Sequence, residues 1–368
     1  MKLRTIFSLL GLCSTFVLVG CAAPDRELDS DIVGPPSCRA CSIELVPSVL
    51  LASEIGAGSP RYPAKVVRLA DGSYAAGPTF QPGAVARFSS DGEFVAAIGQ
   101  FGEGPLELQE VHEPVRWPGD SLAVLHDANS VTVFDMAGTA VRSLTLMPTA
   151  FLTHDILATP QGTVLARRTG AAGGSDVPLR EYSASGEAVR QFGSESALGE
   201  GRTYGAFATD GNAIWALDTR RYEIDVFTGG AAPDTIARHL EWFPADGPRN
   251  EWGGRPSVQD VVMRGPGELM VLIWRPREDF DFTPPGSSSG PGRAAARRTD
   301  HRDLMERYEQ FIEVLDLSSR EVIVSSRIEN QWIGGFVDAD EVFTYYLDLA
   351  SGRAGVQLLQ VTLSEGPG

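Results

Sequence analysis

Basic residues are scarce in this chain. Thirty-one Lys and Arg stand against 48 Asp and Glu, a net charge of −17, which argues against a nucleic-acid partner, since that needs clustered Lys and Arg. Cysteine is scarcer still, with four in 368 residues. Helical 3.6 periodicity is nearly absent beyond Ile43, which excludes a helical bundle. No stretch after residue 20 approaches the ~18 uncharged apolar residues of a membrane span. Familiar catalytic signatures are lacking too: there is no Gly-x-Ser-x-Gly elbow, no Walker loop, no His-Glu-x-x-His pair and no dinucleotide fingerprint. The glycine-rich run Gly99 to Gly104 opens no helix, so a phosphate cradle is not expected. Asp-rich turns such as Ser90-Asp91-Gly92-Glu93 have hairpin chemistry rather than the ligand spacing of a calcium loop.

What is present begins at the N-terminus. Lys2 and Arg4 precede an uncharged run from Ile6 to Gly20, the layout of a signal peptide over residues 1–20. Leu18-Val19-Gly20-Cys21 resembles the lipobox of bacterial lipoproteins. That resemblance implies cleavage before Cys21, acylation of its thiol with palmitate-like chains, and attachment to a membrane through lipid. Each buried methylene contributes ~0.8 kcal/mol, so two or three chains hold a soluble body in place. Ala22, where Asp would signal inner-membrane retention, implies the outer membrane. Loss of Lys2 and Arg4 with the signal takes the charge from −17 to −19.

Residues 21–41 read as a flexible, polar, lipidated tether without periodicity. Within it, Cys38 and Cys41 form a Cys-x-x-Cys pair, which in an exported chain is expected to close a local disulfide. Free thiols, a redox role and a metal role are the alternatives. A redox pair belongs at a helix start in a βαβ unit, and one pair supplies half a zinc site.

From Ile43 onward, short runs rich in Val, Ile, Leu, Phe and Tyr alternate with Gly or Asp turns. "VARFSSDGEFVAAIG", "VTVFDMAGTAVRSLT", "REYSASGEAVRQFG" and "FIEVLDLSSREVIVSS" are versions of one hairpin. They recur within units of roughly forty to fifty residues, a period that implies a β-propeller. The sequence therefore predicts an all-β fold over 42–364: six blades, each a four-stranded antiparallel sheet. The last unit is one strand short, and Ile43–Glu54 is free to supply it, closing the ring from the N-terminus. Residues 276–305 read as an inserted loop in blade 5, with a flexible centre and a short helix in its tail, and 365–368 as a tail. An open pair of β sandwiches is the alternative architecture.

Ile98-Gly99-Gln100-Phe101-Gly102-Glu103-Gly104-Pro105-Leu106-Glu107 is similar to the inter-blade connector of bacterial six-bladed propeller lipoproteins and NHL-like proteins. The resemblance implies the fold far more strongly than an activity. Connectors share one face of such a ring, and this places Arg61, Tyr62, Trp242, Arg249, Glu251, Trp252, Arg255 and Trp332 as candidates for protein or glycan contact. Aligning the six innermost strands on their turns brings Ala64, His112, His154, Thr203, Gln259 and Trp332 to one level near the axis. Glu113 and Asp155 follow the two histidines. His112 and His154 are thus candidate ligands for a divalent metal, although a third histidine is missing.

The expected function is that of a monomeric, lipid-anchored binding or scaffold module of the cell envelope, facing the periplasm or the exterior. It needs no cofactor, and its partner is an envelope protein or a glycan. The alternative is a propeller hydrolase or lyase with an axial metal at His112 and His154.

Overall fold

A computed structural model describes residues 31–51, 63–78, 84–102, 107–149, 151–170, 179–193, 204–219, 221–229, 233–243, 256–277, 301–348 and 353–365. Cys21, the first ten residues of the tether (21–30) and the centre of the blade 5 insertion lie outside them. Six separate four-stranded antiparallel sheets follow one another around a ring.

Blade 1 consists of β2 (Pro63–Arg68), β3 (Tyr74–Pro78), β4 (Val85–Phe88) and β5 (Phe94–Ile98). Blade 2 is β6 (Val111–Trp117), β7 (Ser121–His126), β8 (Ser130–Phe134) and β9 (Ala140–Thr145). Blade 3 is β10 (Phe151–Ala158), β11 (Val164–Gly170), β12 (Leu179–Tyr182) and β13 (Ala188–Phe192). Blade 4 comprises β14 (Tyr204–Thr209), β15 (Ala213–Asp218), β16 (Glu223–Thr228) and β17 (Asp234–Ala237). In blade 5, β18 (Ser257–Gly265) and β19 (Glu268–Pro276) are followed by the helix α1 (His301–Arg307), then β20 (Tyr308–Asp316) and β21 (Glu321–Ile328). Blade 6 takes β22 (Ile333–Phe336), β23 (Glu341–Asp348) and β24 (Arg353–Glu365) from the C-terminus and β1 (Cys41–Leu51) from the N-terminus.

Burial grades outward from the axis, and the sequence follows it. Second strands are pressed between neighbouring blades on both faces, and in β15 every residue of Ala213–Asp218 is buried. Outermost strands are exposed along most of their length, as in β5 and β13. The Asp turns act as expected. Asp135 Oδ1 accepts from the backbone N–H of Ala137 and Thr139, and Asp210 Oδ1 from those of Asn212 and Ala213; such Asx bonds fix a hairpin turn locally.

Ring closure is where the two chain ends meet. β1 pairs with β24 from Cys41↔Glu365 to Leu51↔Val356, with a bulge between Pro47 and Leu50. Beside the bulge, Ser48 Oγ and Tyr74 O–H both donate to Glu341 Oε1 (2.9 and 3.4 Å), joining β1, blade 1 and blade 6 at one carboxylate. The β4–β5 turn of blade 1 rests on this seam. A Cβ on Gly92 would lie 2.3 Å from the Leu50 carbonyl oxygen, and its φ is +85°. Gly92→Ala therefore meets both a backbone clash and a left-handed conformation. The expected cost is about 2–4 kcal/mol in denaturant unfolding, whereas Gly119→Ala, with open space around it, should lose about 1 kcal/mol from φ alone.

The tether differs from expectation. Residues 31–38 are bound along the outside of blades 4 and 5. Ile32 N–H donates to Ala237 O and His239 N–H to Ile32 O; farther on, Ser37 and Cys38 N–H donate to Val322 and Ile323 O. Ile32 is fully buried in the core shared by blades 4 and 5. The sequence hid this because one buried isoleucine among prolines and acids makes no period. Cys38 and Cys41 are disulfide-bonded just where this strap turns into β1.

Candidate functional site

All six innermost strands carry an irregularity at the same place. Where each first strand pairs with its second, the register slips between Pro63 and Lys65, Val111 and Glu113, Thr153 and Asp155, Tyr204 and Ala206, Val258 and Asp260, and Ile333 and Gly335. One residue is bulged in each: Ala64, His112, His154, Gly205, Gln259 and Gly334. A bulge bends its strand and redirects the next side chain. The residues that follow form a second ring, Lys65, Glu113, Asp155, Ala206, Asp260 and Gly335.

Charge gathers on this second ring. Glu113 Oε2 accepts from the Ile156 N–H of the next blade at 3.0 Å. Asp260 Oδ2 does the same for Phe336 N–H at 2.8 Å, so two carboxylates stitch neighbouring blades together. Lys65 Nζ lies 3.6 Å from Asp260 Oδ1 and 4.0 Å from Glu113 Oε1. Those partners belong to blades 5 and 2, so the lysine of blade 1 reaches past blade 6. Gly335 of blade 6 stands beside this contact, and a Cβ on it would lie 2.9 Å from Asp260 Oδ2. On the other side, Arg167 Nε from β11 donates to Asp155 Oδ2 at 2.6 Å.

These contacts shift two protonation equilibria. Burial pulls the Lys65 ammonium down, but the carboxylates of Asp260, Glu113 and Asp155 outweigh it and leave the pKa above the usual lysine value. For Glu113, burial and then the charge of Asp155 push the pKa up to about 8, against the opposing pull of Lys65 and the Ile156 N–H.

A cavity of about 1150 Å³ runs along the axis from this level to the first turn of each blade. Its walls include Gln259, Phe207 and Trp117, with Arg68, Arg116, Asp120 and Asp338 at the turn end. Arg68 and Asp338 pair there at 3.8 Å.

The candidates read from sequence fare unevenly. His112 lines the cavity, and its Nε2 accepts from the Ala128 N–H at 3.3 Å. His154 occupies the matching bulge of the next blade, with its side chain outside the described residues. Among the described residues no three His, Cys, Asp or Glu side chains are gathered as a metal group. Trp332 is 4% exposed, its ring against Trp274 at 4.7 Å, so it packs inside the wall instead of presenting a surface. Its strand meets the ring level two residues later, at Gly334. Trp242 is half-buried, stacked on Phe311 at 5.3 Å and covered by the Arg275 guanidinium. Arg61, Tyr62, Thr203, Arg249, Glu251, Trp252 and Arg255 lie outside the described residues. The sequence reading missed Lys65 and Asp260, although each directly follows a residue the turn alignment had placed. Arg167 it had no means to find, because it comes from a second strand.

No protein-family profile matches this chain, and no curated protein does. Among solved structures, an exported protein from Bacteroides fragilis aligns with 91% of this chain and 98% of its own, at 11% identity and a TM-score of 0.54. A member of the DUF4221 family from Bacteroides vulgatus aligns with 88% of this chain and 99% of its own, also at 11% identity, with a TM-score of 0.59. At such identities these likenesses establish the fold, an all-β six-bladed propeller, and nothing about chemistry.

Proposed function

We propose that this chain is an exported, lipid-anchored binding module of the cell envelope that takes its ligand, a segment of a protein or a glycan, into the axial cavity. One observation carries the reading. The axial cavity reaches the level at which all six blades slip register among the described residues, and charged side chains crowd there. Sites of this kind, a large cavity with a few convergent polar groups, are where binding is expected in an unassigned fold. The signal-like N-terminus, the lipobox-like Leu18–Cys21 and the B. fragilis relative described as exported support the envelope location.

Two experiments test this. A photocrosslinking amino acid at Met263, which lines the cavity, should capture a partner or glycan in intact cells, while the same group at the exposed outer-rim residue Val141 should not. Capture at Val141 with none at Met263 would move the binding surface to the blade edges. Labelled palmitate should enter the wild-type chain and not Cys21→Ser, which should also leave the membrane fraction; an unlabelled wild type removes the anchor.

A further inference from the structure

We propose that the floor of the axial cavity binds an organic cation, a primary ammonium or a guanidinium, held between Glu113 and Asp155. The proposal rests on the reading of this cavity as the binding site and specifies what enters it.

The first support is the charge balance. Three acidic side chains, Glu113, Asp155 and Asp260, face two cations, Lys65 and Arg167, at this level; Glu113 holds its proton below about pH 8 in the empty protein, and an entering cation favours its release. The second is which oxygens are occupied. Asp260 is saturated by Lys65 and by the N–H groups of Val261 and Phe336. Asp155 receives Arg167 through Oδ2, and no hydrogen bond reaches its Oδ1 among the described residues. Glu113 spends Oε2 on Ile156, while Oε1 has the Lys65 ammonium at 4.0 Å, beyond hydrogen-bond reach. Two acceptor oxygens on adjacent blades are therefore left for a donor carrying several N–H groups, which ammonium and guanidinium both are.

The alternatives fit less well. A metal ion needs three or more convergent ligands, and no such group exists among the described residues. An anion would sit against the carboxylates of Asp155 and Asp260, whose cations are already engaged. The cavity, at about 1150 Å³, also has room for the chain that carries the charge, either a Lys or Arg side chain of a partner or a free amine.

Calorimetric titration of the detergent-solubilised full chain decides the matter, using Nα-acetyl-lysine amide, Nα-acetyl-arginine amide and spermidine. The neutral Nα,Nε-diacetyl-lysine amide and the anion glutarate serve as controls. The cations should bind with a Kd of about 1 mM or tighter, and the controls at least about tenfold more weakly. Asp155→Asn and Glu113→Gln should each weaken cation binding by about tenfold or more, while Asp316→Asn, the same charge change in a distant turn, should leave it as it is. Tighter binding of the amino-acid amides than of spermidine points to a peptide side chain, and the reverse to a free amine. Hydrogen exchange in the peptides covering β2, β6 and β18 separates the two ways of failing. Protection by diacetyl-lysine amide or glutarate but not by the cations keeps the cavity as a site and overturns the cation. No protection there by any probe overturns the cation and removes the support for the cavity as well.

Discussion

Replacing Arg238 with methionine is expected to destabilise this propeller by about 3–5 kcal/mol, the usual consequence of leaving one member of a buried ion pair without its partner. Arg238 and Glu313 are 3% and 1% exposed, with Nη2 and Oε1 3.2 Å apart. The pair joins the end of blade 4 to the third strand of blade 5. Tyr222 donates its O–H to Glu313 Oε2 at 2.8 Å; burial and then the Glu313 charge hold that phenol well above its usual pKa. Arg238 also donates to the carbonyls of Gly34 and His239, so it anchors the N-terminal strap as well. Methionine keeps the volume and removes all of these donors. The substitution should thus lower the denaturant midpoint and expose the Asp31–Gly34 region to protease. Adding Glu313→Leu together with Tyr222→Phe should recover most of the loss, because the unpaired charge is what costs most and no buried hydroxyl is then left without an acceptor. A loss below about 1 kcal/mol would mean that water reaches Glu313 and that the strap is held mainly by its backbone bonds and Ile32.

This network marks the limit of what the sequence discloses. The repeating hairpins and Gly turns gave the blade count, and the missing strand of the last unit gave the closure through β1, because both follow from period-2 burial and turn chemistry. The axial level was legible in the same way. Counting back from each turn lands on the bulged residue in Ala64, His112, His154 and Gln259. It misses by two at Gly205 and Gly334, since first strands differ in length and no local pattern reports that. Contacts between blades leave no such trace. Nothing near Lys65 in the chain says that its ammonium will find Asp260, nearly two hundred residues on, because that contact is made across the ring between blades 1 and 5. Trp332 erred in the opposite sense: an aromatic residue at the start of an innermost strand resembles part of a ligand platform, but here its ring packs on Trp274 and is buried in the wall.

The second large effect concerns pH and begins with Glu113. Its side chain faces Lys65 from β2, Asp155 and the Ile156 N–H from β10 and Asp260 from β18, with His112 as its chain neighbour. Its pKa rises from an ordinary 4.5 to about 8 in the folded protein, so between those values the folded state keeps a proton that the unfolded chain has released. Folding is then favoured by proton uptake: the contribution is complete below about pH 4.5 and is lost as pH rises through about 8. A single proton sets a slope of at most about 1.4 kcal/mol per pH unit. Glu341 at the closure seam, raised first by burial, adds a trend of the same sign. His126, lowered first by burial, adds one of opposite sign, because a buried neutral imidazole favours the folded state as pH rises through its ordinary value. Both are common to wild type and Glu113→Gln, so the difference between the two proteins isolates Glu113. Unfolding free energy measured from pH 5 to 8 should fall more steeply in wild type than in Glu113→Gln. Lys65→Met should push the same loss to higher pH, since the carboxyl then ionises against Asp155 and Asp260 with no ammonium beside it. Parallel curves for wild type and Glu113→Gln would mean that Glu113 is already ionised at pH 5. The floor of the cavity would then hold one more negative charge in the empty protein, and the draw on a cation from outside would be stronger still.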